Sequence, residues 1–227
     1  MADTTYEEPS PYNAHYTTTP EWSGVWKPGQ ADVAELRRWR RSRVGIPRRY
    51  EDATVAGFTG SPRMLEAQRK AEMYVHRFPD LVKKGVCMGF VGAMGTGKTT
   101  LACAVAGEVA EMGYTAKYAK MPEIGCLIRD SWRRDAPKSS TEIVADLIAP
   151  DLLVLDEVGV QQGSQDDVLL VHRIIDGRYE AMRPTVITSN LDMDGLTRSL
   201  GGRCLERLRE NRGIFVVFDW KSFRTQE

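Results

Sequence analysis

The eight residues Gly92-Ala-Met-Gly-Thr-Gly-Lys98-Thr99 constrain this chain more than any other stretch. They fit the phosphate-binding pattern G-x-x-x-x-G-K-[ST] at every fixed position. A chance match in a chain of ordinary composition and this length is on the order of one per cent. The flanks agree with the mechanism. Val86–Val91 reads as a short buried strand, and Thr99–Met112 reads as a helix stopped by Gly113. A strand that turns sharply into a helix leaves backbone N–H groups pointing inward at the helix start. Together with the helix dipole, those groups bind anionic oxygens. The glycines let the backbone come close to phosphate. Gly92, Gly95, Thr96, Gly97, Lys98, Thr99 and Thr100 are therefore expected to hold the phosphates of a nucleotide. Lys98 would reach the β and γ phosphates, and the Thr99 hydroxyl would sit on Mg²⁺.

Strands and helices alternate after this loop. Further strands are expected at Thr115–Ala119, Leu152–Leu155, Thr185–Ser189 and Ile214–Phe218. Helices are expected at Pro122–Arg133, Ser139–Leu147, Asp166–Met182 and Asp194–Glu210. Continuous apolar strands alternating with helices imply an α/β fold, a parallel five-stranded sheet covered on both faces. Upstream, Ser61-Pro62 caps a helix over Arg63–Phe78 that Pro79 ends. Asp32–Val44 reads as another helix, with Asp32 as its N-cap and Glu35 completing a box-like pair. Residues 1 to about 30 show no sustained apolar period and read as loosely attached, although Trp22 and Trp26 are unusual for a linker. The expected organisation is a short N-terminal extension over 1–43 and a phosphate-loop domain over 44–227. The chain runs nine residues past Phe218, so no C-terminal helical lid is expected.

Composition excludes more than it selects. Lys+Arg and Asp+Glu both number 31, so net charge does not argue for a nucleic-acid partner; clustering must. Seven arginines and no acid lie between Arg37 and Arg49; such a run is usually a solvated helix face, and the absence of a compensating acid leans towards an anionic or acidic partner. No apolar run is long enough to span a bilayer, and the first residues, Met-Ala-Asp-Thr-Thr-Tyr-Glu-Glu, show no basic-then-apolar signal region, so a cytoplasmic protein without membrane contact is expected. Cys87, Cys103, Cys126 and Cys204 lack C-x-x-C spacing and read as reduced, buried thiols. His15, His76 and His172 lie too far apart in sequence to suggest a metal site.

The second chemical signal is Leu152-Leu-Val-Leu155 followed by Asp156-Glu157. An apolar strand ending in two carboxylates places them at the sheet's carboxyl edge, beside the phosphate loop. Asp156 would hold Mg²⁺, and Glu157 would orient and polarise an attacking water. Asn190, at the end of the fourth strand, is either a turn-forming residue or an amide that contacts the γ phosphate or the attacking water. Arg203 and Arg207 are spaced i, i+4 on one helix face and are candidates for an arginine finger reaching a neighbouring subunit's nucleotide, with Arg209 and Arg212 as competitors. Arg224 would reach the nucleotide of its own subunit. Between strands two and three, Arg129, Trp132 and Arg133, followed by Arg134 and Lys138, combine positive charge with an aromatic. That suits either a single strand of DNA or an ordinary surface helix.

Several stretches resemble the DnaC-type replicative helicase loaders of the AAA+ class. They are Asp151-Leu-Leu-Val-Leu-Asp-Glu-Val-Gly-Val-Gln161, Arg183-Pro-Thr-Val-Ile-Thr-Ser-Asn190, Leu200-Gly-Gly-Arg-Cys-Leu-Glu-Arg-Leu208 and Phe218-Asp-Trp-Lys-Ser-Phe-Arg224. Gly45-Ile-Pro-Arg-Arg-Tyr50 looks like the lead-in of these ATPase domains. The resemblance covers roughly residues 44 to 227. It implies an AAA+ phosphate-loop fold and an ATPase that assembles as a nucleotide-dependent homo-oligomer. It also implies binding of single-stranded DNA and delivery of a hexameric, DnaB-type replicative helicase. It implies Asn190 as first sensor, Arg224 as second, and Arg203 or Arg207 as finger. It raises Arg129, Trp132 and Arg133 as DNA contacts. The loaders carry a longer helicase-binding region before the ATPase than the 43 residues here. An IstB-type transposition helper shares the same core and is the alternative. A small phosphotransferase and a nucleotide-gated DNA-binding module are further readings.

Overall fold

The computed structural model describes residues 33–159 and 165–225. The expected cap Asp32, Trp22, Trp26 and Gln161 lie outside them. In chain order the elements are α1 (Val33–Ser42), α2 (Pro62–His76), α3 (Phe78–Leu81), β1 (Met88–Gly92), α4 (Lys98–Glu111), β2 (Ala116–Lys120), α5 (Met121–Asp130) and α6 (Ser140–Ile148). Then come β3 (Leu152–Asp156), α7 (Gln165–Glu180), β4 (Thr185–Ser189), α8 (Met193–Leu200), α9 (Gly202–Arg209) and β5 (Ile214–Phe218). The strands form one five-stranded sheet in the order β2-β3-β4-β1-β5, and every pairing is parallel.

Alternation along each strand separates two cores. Leu152 and Val154 face one side of β3 with Met88, Phe90, Val186, Val216 and Phe218 from the other strands, against α2, α3 and α4. Leu153 and Leu155 face the other side with Val91 and Ile187, against α5 to α9. Each buried Leu, Val, Ile or Phe contributes about 1.5–3 kcal/mol relative to exposure. A strand buried on both faces lacks the polar alternation of a half-exposed strand: β3 is apolar up to Asp156, and β4 buries Val186 and Ile187 together with Thr185, Thr188 and Ser189, whose hydroxyls are hydrogen-bonded. α4 lies almost wholly inside: ten of its residues, Lys98 among them, are buried. Parallel pairing brings the carboxyl ends of β1, β3 and β4 to one edge, and the site is built there.

Four expectations are corrected. Pro79 does not merely end a helix; it sits in the first turn of the separate α3, where a missing N–H is harmless. The helix expected to run to Arg133 stops at Asp130, and Trp132 and Arg133 lie in the turns that follow, their N–H groups bonded to Arg129 O and Asp130 O. The region Asp194–Glu210 is two helices, because Gly201 adopts φ 74, ψ 153, which no helix contains. Cys126 is exposed, whereas Cys87, Cys103 and Cys204 are buried.

Helix α1 packs along α4 through arginine chemistry. Arg41 pairs with Glu111 at 3.0 Å and donates to Glu51 O at 2.6 Å and to Ala53 O, while Arg40 donates to Glu111 O at 3.1 Å. Part of the arginine run is thus structural. Arg37, Arg38 and Arg43 stay exposed, with Arg43 over the ring of Trp39. None of the helices among the described residues is long and apolar enough to cross a membrane.

Candidate nucleotide-binding site

The phosphate loop leaves β1 at Gly92 and enters α4 at Lys98. Gly92 adopts φ 129, and a Cβ there would overlap the carbonyl oxygen of Phe218 on the adjacent β5. Only glycine permits that approach. Gly97, at φ 92, is the helix N-cap. Lys98 folds back and donates to Gly92 O at 2.7 Å and Ala93 O at 2.6 Å. Burial pulls its pKa down to about 8; Asp156 opposes that shift and Arg224 adds to it. A cation held here against its desolvation favours an anion beside it.

Asp156, at the end of β3, is 1% exposed and fully engaged. It accepts from Tyr118 Oη at 2.5 Å, from Thr188 Oγ1 at 2.5 Å and from Thr99 Oγ1 at 3.0 Å. The Tyr118 phenol is pushed far above its ordinary pKa, first by burial and then by the adjacent carboxylate, so it acts as a donor. A hydroxyl and a carboxylate side by side are hard oxygen donors of the type magnesium takes, so the residues present fit that ion.

Glu157 follows in an uncommon conformation for a non-glycine residue, φ 62. Three bonds between the ends of β3 and β4 hold it. Glu157 N donates to Thr188 Oγ1 at 3.1 Å, Val158 N to Thr188 O at 2.8 Å, and Ser189 Oγ to Val158 O at 2.7 Å. Strain maintained by such lacing is characteristic of a functional position. The loop after β4 is tied to the phosphate loop in turn, because Gly92 N donates to Leu191 O at 3.1 Å.

These groups surround one cleft of about 230 Å³, lined by Gly95, Gly97, Lys98, Thr99, Thr100, Glu157, Thr188, Asn190 and Arg224. Arg49, Tyr50, Met94 and Phe223 complete its wall. Glu157 is the one acid among the lining residues, against Arg49, Lys98 and Arg224. The structure therefore gathers most of the expected nucleotide residues in a single place. Thr96 is buried just behind the loop, its hydroxyl on Ala93 O at 2.8 Å.

Other expected residues lie elsewhere. Arg203 and Arg207 share α9 but have different surroundings. Arg203 is exposed. Arg207 forms an ion pair with Asp176 of α7 and stacks over Tyr179 at 5.2 Å. Trp132 is 67% exposed, near the likewise exposed Arg129 and Arg133. Arg129 donates to Cys126 Sγ at 3.2 Å.

Tyr118, Thr188 and the wall residues Arg49, Tyr50 and Phe223 were not expected in the site. Tyr118 carries no motif. Its position follows only from the β2–β3 register, which pairs it with Val154, two residues before Asp156.

The description "IstB-like ATP binding protein" fits residues 76–207 of this chain. The replicative helicase loader DnaC of Escherichia coli (strain K12) is 32% identical over 162 residues, which are 71% of this chain and 64% of the loader. This chain thus spans less than two thirds of that loader's length. A crystal structure of the DnaC helicase loader superposes with a TM-score of 0.65 at 24% identity, covering 76% of this chain and 99% of that one. A crystal structure of DnaI superposes with a TM-score of 0.63 at 25% identity, covering 76% and 94%. The family match runs from the end of α2 into α9 and takes in the phosphate loop, Asp156-Glu157 and Asn190. On that match and that architecture, this chain belongs to the IstB-like ATP-binding family and has the AAA+ phosphate-loop fold.

Proposed function

We propose that this chain is a cytoplasmic ATPase that loads a hexameric replicative helicase onto single-stranded DNA. Residues 44–227 are its ATPase unit, and the segment before them is an appendage whose helix α1 rides on α4. The observation that carries the reading is the convergence of Lys98, Thr99, Glu157, Asn190 and Arg224 on one cleft, with Asp156 bonded to Thr99 behind it, in a chain 32% identical to a replicative helicase loader.

Each residue has a role in this account. The loop from Gly92 to Thr100 cradles the phosphates, and Lys98 contacts the β and γ groups. Thr99 and Asp156 would hold Mg²⁺, which supplies charge stabilisation to the phosphate oxygens when bound. Tyr118 and Thr188 fix the direction of the Asp156 carboxylate. Glu157 orients and polarises the attacking water. Asn190 and Arg224 sense the γ phosphate from the same subunit.

Arg203 acts across a subunit boundary as the arginine finger, because it is exposed while Arg207 is engaged within its own chain. Arg203→Ala is expected to lose assembly-stimulated ATP turnover with unchanged ATP affinity. Mixing it with Lys98→Ala subunits should restore part of that turnover, since each variant supplies what the other lacks. Arg207→Ala is expected instead to lower stability by about 1–2 kcal/mol, read by thermal melting. Full turnover by assembled Arg203→Ala would remove it from this role.

In this reading single-stranded DNA lies across the surface between α5 and α6, where Arg129, Trp132 and Arg133 are exposed. Trp132→Ala should lose about 1–3 kcal/mol of affinity for an oligonucleotide, with ATP binding unchanged. Fluorescence anisotropy with a labelled single strand measures this.

The deciding experiment is helicase delivery: ring helicase, single-stranded circular DNA, ATP and this protein, with helicase retained on DNA as the readout. No helicase contact and no delivery would refute the loader reading. The family description favours a second reading, a transposition helper of the IstB type. Binding to a transposase and to duplex DNA, without helicase contact, would establish that alternative.

A further inference from the structure

The segment after β5 is bonded directly to the phosphate loop. Trp220 Nε1 donates to Thr96 O at 3.0 Å, and Phe223 N donates to Gly95 O at 2.9 Å. Contact is close enough that a Cβ at Gly95 would overlap Ser222 Oγ, and one at Gly97 would lie 3.2 Å from the Phe223 ring. The segment is itself anchored. The Trp220 ring packs against Phe218 at 4.5 Å and Phe58 at 6.2 Å between centroids, and Asp219 pairs with Arg63 at the start of α2.

The consequence follows from peptide geometry. In a planar trans peptide the C=O and the following N–H point in opposite directions. No cis peptide occurs among the described residues. Drawing the carbonyls of Gly95 and Thr96 toward the tail turns the N–H groups of Thr96 and Gly97 away from it, toward the concavity of the loop. Those are donors that a phosphate-binding loop presents to its anion. Without the two tail bonds, both peptide units lose the donors that fix their carbonyls, and more of the loop must be ordered at the moment of binding.

We propose that Trp220, through its indole N–H, and the backbone N–H of Phe223 are positioning groups for phosphate recognition: they hold two peptide units of the loop in the orientation that binds a polyphosphate. Neither needs to touch the nucleotide for this. The proposal rests on the ATP-binding reading of the same loop and adds the element that preorganises it.

Two variants of the full chain test it. Trp220→Phe keeps an aromatic ring against Phe218 and Phe58 but removes the indole donor. Phe223→Pro removes the backbone donor. Binding of ATP and of inorganic tripolyphosphate is measured by calorimetry, and the melting temperature is measured without nucleotide. Each variant is expected to weaken both ligands in parallel, by about five- to tenfold, the worth of one hydrogen bond. The melting temperature of nucleotide-free Trp220→Phe should stay near that of the wild type.

Wild-type affinity in both variants overturns the proposal and leaves the ATP reading standing. A lowered melting temperature with unchanged affinity also overturns it, because the tail would then be structural only. Failure of the wild type itself to bind ATP would overturn both.

Discussion

Glu157→Gln is expected to reduce ATP turnover by about a thousandfold while leaving ATP affinity close to wild type. The size is that of losing a positioned group that polarises the attacking water. The substitution keeps the volume and removes the negative charge. The residue is also one that the fold constrains at some expense: φ 62 on a non-glycine residue costs on the order of 1 kcal/mol, and bonds from Thr188 and Ser189 maintain it. Asp156 lies one residue earlier but has a different environment. It is buried and accepts three hydroxyl donors, so it is positioned to hold rather than to react. Radiolabelled phosphate release gives turnover, and calorimetry gives affinity. Near-normal turnover would take Glu157 out of the chemistry. Lost turnover with full helicase delivery would indicate a module that ATP merely gates.

Arg178→Met is expected to destabilise the fold by about 3–5 kcal/mol. Arg178 lies on α7 with no exposure to solvent. Its guanidinium donates to Leu147 O, Ile148 O and Pro150 O, each at 2.9 Å, to Pro184 O at 2.5 Å and to Thr185 Oγ1 at 3.0 Å. One side chain thereby gathers the end of α6, the approach to β3 and the start of β4. Burial pulls its pKa down to about 9. Methionine matches much of the volume but strands those carbonyls in the interior, and each unpaired buried acceptor costs about 1–3 kcal/mol, partly relieved where water enters. Arg178→Lys should recover only part of the loss, because three donors on one nitrogen cannot reproduce a planar fork. Denaturant melts report the change. Arg178 sits at the opposite edge of the sheet from the phosphate loop, so the folded fraction should bind ATP normally. Wild-type stability in Arg178→Met would show that water satisfies those carbonyls.

What the sequence disclosed, and what it concealed, follows the range of the interactions. The phosphate loop and the apolar run of β3 ending in Asp156-Glu157 are local patterns, each legible within ten residues. Parallel pairing followed from the alternation of strands and helices. The strand order β2-β3-β4-β1-β5 did not, since it depends on contacts between distant segments. Tyr118 belongs to the site only because β2 pairs with β3 in one register. Arg207 differs from Arg203 because Asp176 and Tyr179, on another helix, face one arginine and not the other. Arg178 carries no motif, and in sequence it looks like an ordinary helix arginine. Pro79 was visible as a breaker, but whether a breaker ends a helix or opens the next depends on what the following turn packs against, and Gly201 was passed over inside the single helix expected at Asp194–Glu210. Cys126 is exposed because α5 turns that face outward from the second core, where Met121 and Ile124 are buried.

The account depends on a triphosphate being held where β1 turns into α4. Calorimetric titration of ATP and Mg²⁺ into the wild type and into Lys98→Ala tests this most directly. Wild type should bind one ATP per chain. Lys98→Ala should lose affinity by at least about tenfold, the minimum expected on removing a charged donor to phosphate. Equal affinity in the two proteins would contradict the account.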